Sequence, residues 1–356
     1  MIKINFNYFV VSKPLDNLRY FMRRGHFFRL LWDRVKWYWF PRLNIVPSFP
    51  LTVDLEAALT CQLKCPMCTR AQSDVFSKGG IMDFALYKKV VDQCAENRVF
   101  SIKLSWRGEP TMNPHLVDMV RYAKDKGIPD MAFLTNGGLI TPQLTRDLVE
   151  AGLDWISFSI DGLGQDYERI RKPITFDEIV AAVTGVFELK KELGRVKPLV
   201  RVQTISGCIE RNPAYFEFWE PLVDRISVIA EQHREDPDLI RHDPDYVCAS
   251  PFQRVFVTWD GKVIPCHGDY FLHNTMGDAN TQSIRDIWNS DKFRKFRSDM
   301  RAKRRLEYKA CSICPDGGEF VGDTLEVGGR TVSVIRFLEQ ESSESQPPAG
   351  DKNEDS

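Results

Sequence analysis

Short β-rich runs alternate with helical stretches from residue 51 to residue 230, and no other feature constrains the fold of this 356-residue chain as strongly. The predicted strands cover residues 52–57, 101–106, 131–135, 155–160, 199–205 and 226–230. The predicted helices cover residues 83–96, 114–126, 142–151, 176–193 and 213–223, where apolar residues recur at helical spacing. Such alternation implies parallel strands with right-handed crossovers, and six strands are too few to close an eight-stranded barrel. We therefore expect an α/β fold, a partial (β/α)6 TIM-like barrel at residues 51–235, with ligands at the carboxyl ends of its strands.

The rest of the chain does not follow this alternation. Residues 240–330 contain two short predicted strands around a turn at Asp260 and Gly261, a helix at 283–290 and several cysteines. We interpret this region as a small cysteine-rich C-terminal domain. The acidic tail at 339–356 lacks large apolar side chains, which is typical of disorder. The net charge of -1 argues against general binding of nucleic acid.

Residues 1–50 form a basic and aromatic extension, with nine Lys or Arg against two acids. Residues 21–40 have two interpretations: a helix that lies on an anionic membrane, or a segment that packs across the barrel's opening or base. We favour packing, because aromatic residues at mixed spacing more often pack than insert. No run approaches the roughly 18 apolar residues of a spanning helix, and no signal peptide is visible. We expect a cytoplasmic protein, whose membrane association would be peripheral.

Three cysteines, Cys61, Cys65 and Cys68, lie in one short loop directly after the first predicted strand. Three thiolates at this spacing can ligate three irons of a [4Fe–4S] cluster and leave the fourth iron open. A structural zinc site is the alternative, but zinc needs four ligands and a nearby fourth donor is not obvious. Seven of the nine cysteines are clustered, which favours metal binding over disulfides in a reducing compartment.

The spacing Cys-x3-Cys-x2-Cys, with Met67 just before the last cysteine, resembles the motif of the radical S-adenosylmethionine (SAM) superfamily. The resemblance implies that the open iron binds the amino and carboxylate groups of SAM. It also implies that one electron cleaves SAM to methionine and a 5′-deoxyadenosyl radical, which then abstracts hydrogen from a substrate. An electron donor such as flavodoxin or ferredoxin would supply that electron.

Further matches to the superfamily follow successive predicted strands. Gly108, Glu109 and Pro110 resemble the motif that holds the methionine amino group of SAM, although Arg107 stands where a second glycine is commoner. We interpret as further SAM contacts Asn136, Ser159, Asp161, Arg171 and Gln203. Their alternatives are ordinary turn chemistry for the Asn-Gly and Asp-Gly pairs, a solvated charge for the arginine and an unknown strand face for the glutamine. The order of the motifs after successive strands favours cofactor contacts.

A second set of cysteines lies in the C-terminal region and consists of Cys248, Cys266, Cys311 and Cys314. Four thiolates can close the coordination of one [4Fe–4S] cluster, and a tetrahedral zinc site is the rival. The segments at 259–266 and 277–288 resemble the SPASM or twitch extensions of radical SAM enzymes. A full SPASM domain carries seven cysteines for two clusters, so four cysteines lead us to expect one auxiliary [4Fe–4S] cluster.

Two cysteines remain outside these sets. Cys94 lies on the inner side of a predicted helix and is interpreted as a small core residue. Cys208 follows the fifth predicted strand, on the expected substrate face. Its thiol could return hydrogen to a substrate radical, as an epimerase requires, but an inert loop cysteine is the favoured alternative.

Together these features predict a radical SAM oxidoreductase or epimerase that acts on a small polar substrate such as a sugar, aminosugar or cyclitol. A peptide-modifying maturase and a non-catalytic iron–sulfur scaffold are the alternatives. Residues 1–50 are too short and irregular for an added peptide-recognition domain, which favours the small substrate. The SAM-contact motifs beside the cysteines argue against a scaffold, because a binding protein would not need both.

Overall fold

The computed structural model describes residues 8–11, 14–229, 240–327 and 330–337. The predicted acidic tail at 339–356 lies outside the described residues. Twelve strands are described: β1 (Tyr8–Val11), β2 (Thr52–Leu55), β3 (Ser101–Lys103), β4 (Asp130–Thr135), β5 (Trp155–Ser159), β6 (Leu199–Ile205), β7 (Arg225–Ile229), β8 (Arg254–Val257), β9 (Lys262–Ile264), β10 (Gly277–Asp278), β11 (Phe320–Val327) and β12 (Arg330–Phe337).

Ten of these strands form one sheet, in the order β1-β7-β6-β5-β4-β3-β2-β8-β9-β10. Strands β2 to β7 are parallel and follow one another in chain order, which confirms the predicted α/β fold with a partial six-stranded barrel. Strand β8 comes from the C-terminal region and adds to β2 as a further parallel strand. Strands β1, β9 and β10 pair antiparallel at the two edges, and β11 and β12 form a separate hairpin.

The described α-helices are α1 (Pro14–Arg23), α2 (Phe27–Arg42), α3 (Thr69–Gln72), α4 (Phe84–Glu96), α5 (Leu116–Asp125), α6 (Pro142–Glu150), α7 (Gly164–Ile170), α8 (Phe176–Glu192), α9 (Ser206–Glu210), α10 (Tyr215–Trp219), α11 (Ser250–Gln253), α12 (Ile284–Trp288), α13 (Asp291–Arg301) and α14 (Lys309–Ser312). Local side chains set where the crossover helices begin. The Asp83 carboxylate accepts hydrogen bonds from two backbone amides at the start of α4. Thr175 and Glu178 form a capping box at the start of α8.

The two faces of the barrel strands differ in character, because successive side chains point to opposite sides of a sheet. The face toward the helices is apolar and fully buried, as at Val53, Ile102, Phe133, Val200 and Val202. The face toward the barrel interior carries polar and charged residues, namely Asp54, Lys103, Ser157, Arg201 and Gln203. The fold therefore has an apolar outer core and a polar interior.

Helices α1 and α2 lie across the amino-terminal end of the barrel. Tyr20 is buried against Trp155 and Leu199, at the start of β5 and β6. The Arg24 guanidinium donates to both carboxylate oxygens of Asp130, at 3.3 and 2.6 Å. One side of the N-terminal extension thus packs on the barrel base. Among the described helices, none combines the length and the apolar content that crossing a bilayer requires.

The cysteine-rich region is attached to the barrel along one side. Strands β8 to β10 continue the barrel sheet, and the turn between β8 and β9 contains Gly261 at a φ of 93°, a conformation that favours glycine. The Lys89 ammonium on α4 donates to the carbonyls of Ala279 and Asn280, both at 2.7 Å. The predicted boundary between residues 235 and 240 remains a prediction.

Candidate active site

The first cysteine loop follows β2 at the carboxyl end of the barrel. One side chain holds this loop in shape, because the Arg70 guanidinium donates to the carbonyls of Leu59, Cys61 and Leu63 at 2.8, 3.2 and 3.5 Å. A further bond joins the Cys68 amide to the Cys65 carbonyl at 3.0 Å. The sequence analysis missed Arg70, because nothing in a sequence marks an arginine as a partner of backbone carbonyls.

Nitrogen donors point at the sulfurs of this loop. Cys61 Sγ accepts from the Leu63 amide at 3.4 Å and from Asn136 Nδ2 at 3.6 Å. Cys65 Sγ accepts from the Arg171 guanidinium at 3.7 Å. Burial raises the pKa of the Cys61 and Cys65 thiols, while the Leu63 amide and Arg171 oppose that rise. The predicted residues Asn136 and Arg171 therefore touch two of the three predicted iron ligands.

Gly108 lies in the segment after β3 and allows this segment to pack against the cysteine loop. A Cβ atom at this position would lie 2.3 Å from the Ala58 carbonyl oxygen and 2.5 Å from the Leu59 carbonyl carbon. The following residue, Glu109, donates its amide to the Thr60 carbonyl at 2.9 Å. Only glycine permits this approach, which explains the glycine of the predicted Gly-Glu-Pro motif. Pro110 is buried and begins a short 3₁₀ turn.

The Glu109 carboxylate is buried at the junction of two strand ends. Its Oε1 accepts from Thr111 Oγ1 and from Thr135 Oγ1, both at 2.7 Å. Its Oε2 accepts from the Asn136 amide at 2.7 Å. Burial raises the pKa of Glu109, and these hydrogen bonds oppose the rise. The carboxylate is fixed between the cysteine loop and the end of β4, and its contact with SAM remains a prediction.

Arg107 has a structural role that its departure from the family pattern did not reveal. Its guanidinium donates to both carboxylate oxygens of Glu56 at 2.7 Å. It also donates to the Tyr270 carbonyl at 2.9 Å and lies 4.1 Å from the centre of the Trp106 ring. Trp106 Nε1 in turn donates to the His267 carbonyl at 2.9 Å. The segment that follows β3 is thus hydrogen-bonded to the segment that follows Cys266.

Asp161 and Arg171 form a buried ion pair on the other side of the cysteine loop. The guanidinium donates to Asp161 Oδ2 through Nε at 3.0 Å and through a second, shorter bond. Burial alone would lower the pKa of Arg171, but Asp161 and Cys65 raise it above its usual value. The Arg171 side chain is 15% exposed and bonded on two sides, so it is not a solvated charge.

The other predicted SAM contacts lie at the carboxyl end of the barrel. Ser159, at the end of β5, is partly exposed and pairs in register with Gln203 on β6. Gln203 Oε1 accepts from the Arg201 guanidinium at 3.2 Å. Met67, in the cysteine loop, is 38% exposed. Residues from five strand ends therefore surround one region above the barrel interior.

The four C-terminal cysteines lie close to one another. Burial raises the pKa of Cys266 well above its usual value, and the other three thiolates raise it further. Burial and Cys248 raise the pKa of Cys311 to about 12. Buried thiols with raised pKa values need a cation before they ionise, and bound metal supplies one. Within the described part of the chain, no three Cys, His, Asp or Glu side chains are arranged to hold a single metal ion.

Arg305 shapes the loop that carries Cys311 and Cys314. Its guanidinium donates to the Cys311 carbonyl at 3.1 Å and to the Gly317 carbonyl at 2.7 Å. A Cβ on Gly317 would lie 2.4 Å from that guanidinium, so the glycine makes room for it. Arg305 repeats in the C-terminal region what Arg70 does for the first loop, and the sequence analysis missed it for the same reason.

The two remaining cysteines are both buried. Cys94 lies on α4 with no exposed surface, as expected of a core residue. Cys208 lies on α9 and is 1% exposed, and its Sγ accepts from the Arg211 guanidinium at 3.5 Å. The loop position predicted for Cys208 is a short helix in the structure.

Comparison with known proteins identifies the family. The model of the radical SAM superfamily matches residues 56–196, and the SPASM iron–sulfur cluster-binding domain matches residues 248–315. A PqqA peptide cyclase from Bradyrhizobium diazoefficiens is 32% identical over 293 residues, which are 70% of this chain and 76% of that protein. The chain therefore belongs to the radical SAM superfamily and carries a C-terminal SPASM domain. It is a radical SAM enzyme, and its two domains imply a SAM-dependent [4Fe–4S] cluster and auxiliary iron–sulfur clusters.

Other relatives have different activities. The tungsten-containing aldehyde ferredoxin oxidoreductase cofactor-modifying protein of Pyrococcus furiosus is 25% identical over 334 residues, 76% of this chain and 89% of that protein. The AdoMet-dependent heme synthase of Methanosarcina barkeri is 26% identical over 319 residues, 74% of this chain and 88% of that protein. Among solved structures, anSMEcpe with bound AdoMet superposes with a TM-score of 0.55 at 18% identity, covering 76% of this chain and 89% of that chain. That similarity supports the fold alone.

Proposed function

We propose that this enzyme uses the 5′-deoxyadenosyl radical to remove hydrogen from a small polar substrate, such as a sugar, aminosugar or cyclitol, and that the net reaction is an oxidation. The substrate C–H hydrogen passes to 5′-deoxyadenosine. An auxiliary cluster held by Cys248, Cys266, Cys311 and Cys314 would accept one electron from the substrate, whose hydroxyl or amino group would release one proton, giving a carbon–oxygen or carbon–nitrogen double bond. Flavodoxin or ferredoxin supplies the electron that cleaves SAM.

The observation that carries this proposal is the direct connection between the two cysteine regions. Trp106 and Arg107, beside the Gly-Glu motif, donate hydrogen bonds to the carbonyls of His267 and Tyr270, just after Cys266. A cluster on Cys266 would therefore border the mouth of the barrel, where a substrate radical forms. The polar groups of the barrel interior support the proposal of a polar substrate, because the buried hydroxyls and amides of the protein need hydrogen-bonding partners.

In this proposal Cys61, Cys65 and Cys68 hold the SAM-binding cluster. Cys248, Cys266, Cys311 and Cys314 hold one auxiliary [4Fe–4S] cluster. The residues proposed to surround SAM are Met67, Gly108, Glu109, Pro110, Asn136, Ser159, Asp161, Arg171 and Gln203. The amide and guanidinium donors on the Cys61 and Cys65 sulfurs support this assignment, because such bonds stabilise ligating thiolates. When bound, the first cluster delivers one electron to SAM.

Epimerisation is the second candidate reaction, with Cys208 as hydrogen donor. The position of Cys208 one turn beyond β6 favours it, whereas the burial of its thiol favours oxidation, since a donor must reach the substrate radical. The two reactions differ in their electron balance. Oxidation removes two hydrogens from the substrate, whereas epimerisation replaces one hydrogen and leaves the mass unchanged.

The reaction is tested with perdeuterated sugars, aminosugars and cyclitols, incubated anaerobically with the reconstituted enzyme, SAM and dithionite. We expect deuterium in 5′-deoxyadenosine and a product that has lost two hydrogen isotopes, both read by mass spectrometry. We also expect the Cys208→Ala variant to form this product. An epimer that is lost in Cys208→Ala while 5′-deoxyadenosine persists would replace oxidation with epimerisation. Deuterium transfer from labelled peptides alone would favour the peptide-maturase alternative.

We further propose that the exposed face of α2 rests on an anionic membrane surface. This face is apolar at helical spacing, through Phe28, Leu31, Trp32, Val35 and Trp39. Phe28 is 83% exposed and Trp32 is 59% exposed, whereas the exposed face of a surface helix usually carries polar residues. The excess of basic residues in the first fifty suits an anionic leaflet, and aromatic side chains prefer the membrane interface.

Membrane contact is measured by sedimentation with vesicles of phosphatidylcholine mixed with phosphatidylserine. We expect binding that falls roughly a thousandfold in the double variant Phe28→Ser/Trp32→Ser, because each buried aromatic contributes about 2 kcal/mol. Leu306→Ser, at an exposed apolar position outside the N-terminal extension, is the control and should bind as the wild type does. Equal binding by the double variant would contradict the membrane proposal. So would a wild type that forms a dimer instead of binding vesicles, if the double variant disrupts that dimer.

A further inference from the structure

Arg305 is a buried cation in the C-terminal region. It begins a short 3₁₀ turn after α13 and is 4% exposed. Its guanidinium donates to the carbonyls of Cys311 and Gly317, at 3.1 and 2.7 Å, and lies 5.3 Å from the centre of the Tyr246 ring. A fixed positive charge therefore lies beside the loop that carries Cys311 and Cys314.

The third hydrogen-bonding partner of Arg305 is a neutral imidazole. Nδ1 of His242 is 3.1 Å from the guanidinium, and Nε2 is 2.9 Å from the Ser312 carbonyl oxygen. Since a carbonyl only accepts, Nε2 carries the hydrogen and Nδ1 accepts from Arg305. Burial and the charge of Arg305 both lower the pKa of His242, which favours the neutral ring. His242 therefore orients the guanidinium but supplies no negative charge.

The charge of Arg305 has no carboxylate partner in the part of the chain that the structure describes. Its acceptors are two backbone carbonyls and the imidazole. The Asp316 carboxylate, on the neighbouring turn, lies 3.1 Å from His267 Nε2. A buried cation is costly unless anionic groups lie nearby, so the site favours a negative charge that the carboxylates do not provide.

The groups that can supply this negative charge are the cysteines of the auxiliary site. Burial raises the pKa of Cys248, and the charge of Arg305 is among the effects that oppose the rise. Burial and Cys248 raise the pKa of Cys311 to about 12, and Arg305 again opposes them. Ligation to metal removes the thiol protons, so four ligating thiolates would place net negative charge beside this cation.

We propose that Arg305 is the counter-cation of the auxiliary cluster and makes that cluster a better electron acceptor. This inference rests on the proposed function, in which a cluster on the four C-terminal cysteines would accept one electron from the substrate. That electron adds one negative charge to the site. A fixed positive charge nearby stabilises the reduced state and raises its reduction potential. Arg305 acts through the cluster and touches no substrate.

The test is a redox titration of the anaerobically reconstituted, full-length enzyme, followed by EPR with SAM present. The auxiliary signal is the one that persists in Cys65→Ala. We expect Arg305→Gln to lower the midpoint potential, so that the ratio of reduced to oxidised auxiliary cluster at the wild-type midpoint falls roughly tenfold, the effect of removing one nearby buried charge. Arg305→Lys keeps the charge and should stay within roughly threefold of the wild type.

Lys309→Gln is the matched control, because Lys309 is an exposed cation on α14, in the same cysteine loop, and solvent screens its charge. It should leave the ratio unchanged. An unchanged ratio in Arg305→Gln, or an equal fall in Arg305→Lys or Lys309→Gln, would overturn the proposal. If Arg305→Gln fails to hold auxiliary iron, Arg305→Lys decides: iron retained at the wild-type ratio supports the role of the charge, and iron lost overturns it.

The oxidised product is measured on the same wild-type preparation. A wild type that shows no auxiliary EPR signal, or that forms no oxidised product, would show failure of the proposed function. Oxidised product together with an unchanged midpoint potential in Arg305→Gln would refute the role of Arg305 alone.

Discussion

Replacing Cys65 with Ala is expected to reduce SAM cleavage to background and to remove about half of the protein-bound iron. Cys65 is proposed to ligate one of three irons, and it accepts a hydrogen bond from Arg171, which is held in turn by Asp161. Loss of this thiolate leaves the cluster with two protein ligands and leaves Arg171 without one of its two partners. The assays are 5′-deoxyadenosine formation with dithionite and iron content after reconstitution.

Cys94→Ala is the matched control for this prediction, because Cys94 is a buried cysteine that lies in the apolar core of α4. It should keep its iron and its SAM cleavage. Full cleavage by Cys65→Ala, or an equal loss of iron in Cys94→Ala, would contradict the assignment of the first cluster.

The second large effect is expected at the auxiliary site. Cys311→Ala should retain part of its SAM cleavage, lose the oxidised product and bind about half of the iron. The reason is that the proposed cluster receives the electron of the substrate radical but takes no part in cleaving SAM. Product and 5′-deoxyadenosine are measured in the same reaction, so that their ratio reports the uncoupling.

Ser312→Ala, at the neighbouring position on α14, is the control and should retain both iron and product, since its hydroxyl donates to the Lys309 carbonyl of the same helix. Product formation by Cys311→Ala at the wild-type ratio would exclude the auxiliary cluster from the reaction. Loss of all iron in Cys311→Ala would mean that this residue supports the whole fold.

The parts of the fold that local patterns determine were predictable from the sequence. All six barrel strands begin within one residue of the position that hydrophobic periodicity indicated, because a buried strand and a one-sided helix leave different repeats. Strand β3 is shorter than predicted and ends at Lys103, the helix predicted at 213–223 is the short α10 followed by a 3₁₀ turn, and α7 was not predicted. The start of α8 follows from Thr175 and Glu178, three residues apart. The Asp260-Gly261 turn follows from the positive φ that glycine permits.

Features that depend on long-range contacts were not predictable. Strand β8 adds to β2 across about two hundred residues, and no local pattern identifies that partner. Arg107 departs from the family motif, and only the fold shows that it pairs with Glu56 and reaches Tyr270. The interior positions of Lys103 and Arg201 were not predictable either, because strand register decides which of two adjacent residues faces the interior.

The sequence allowed two interpretations of the N-terminal extension, of which the structure supports packing, while membrane contact remains a proposal. Its inner side packs on the barrel base, as the favoured interpretation predicted, through contacts such as that of Gln253 with the Trp37 carbonyl at 2.7 Å. Its outer side remains apolar and exposed around Phe28 and Trp32. Amphipathic patterning alone does not separate these roles when aromatic residues occupy both sides of a helix.

The most direct test of the central claim is iron and sulfide content after anaerobic reconstitution, combined with EPR of the reduced protein before and after SAM is added. Two [4Fe–4S] clusters predict about eight irons and about eight sulfides per chain, with an EPR signal that changes on addition of SAM. About four irons with one zinc would make the C-terminal site structural and remove the proposed electron acceptor. Little iron, or a signal that SAM leaves unchanged, would contradict the account of a cluster with an open iron at Cys61, Cys65 and Cys68.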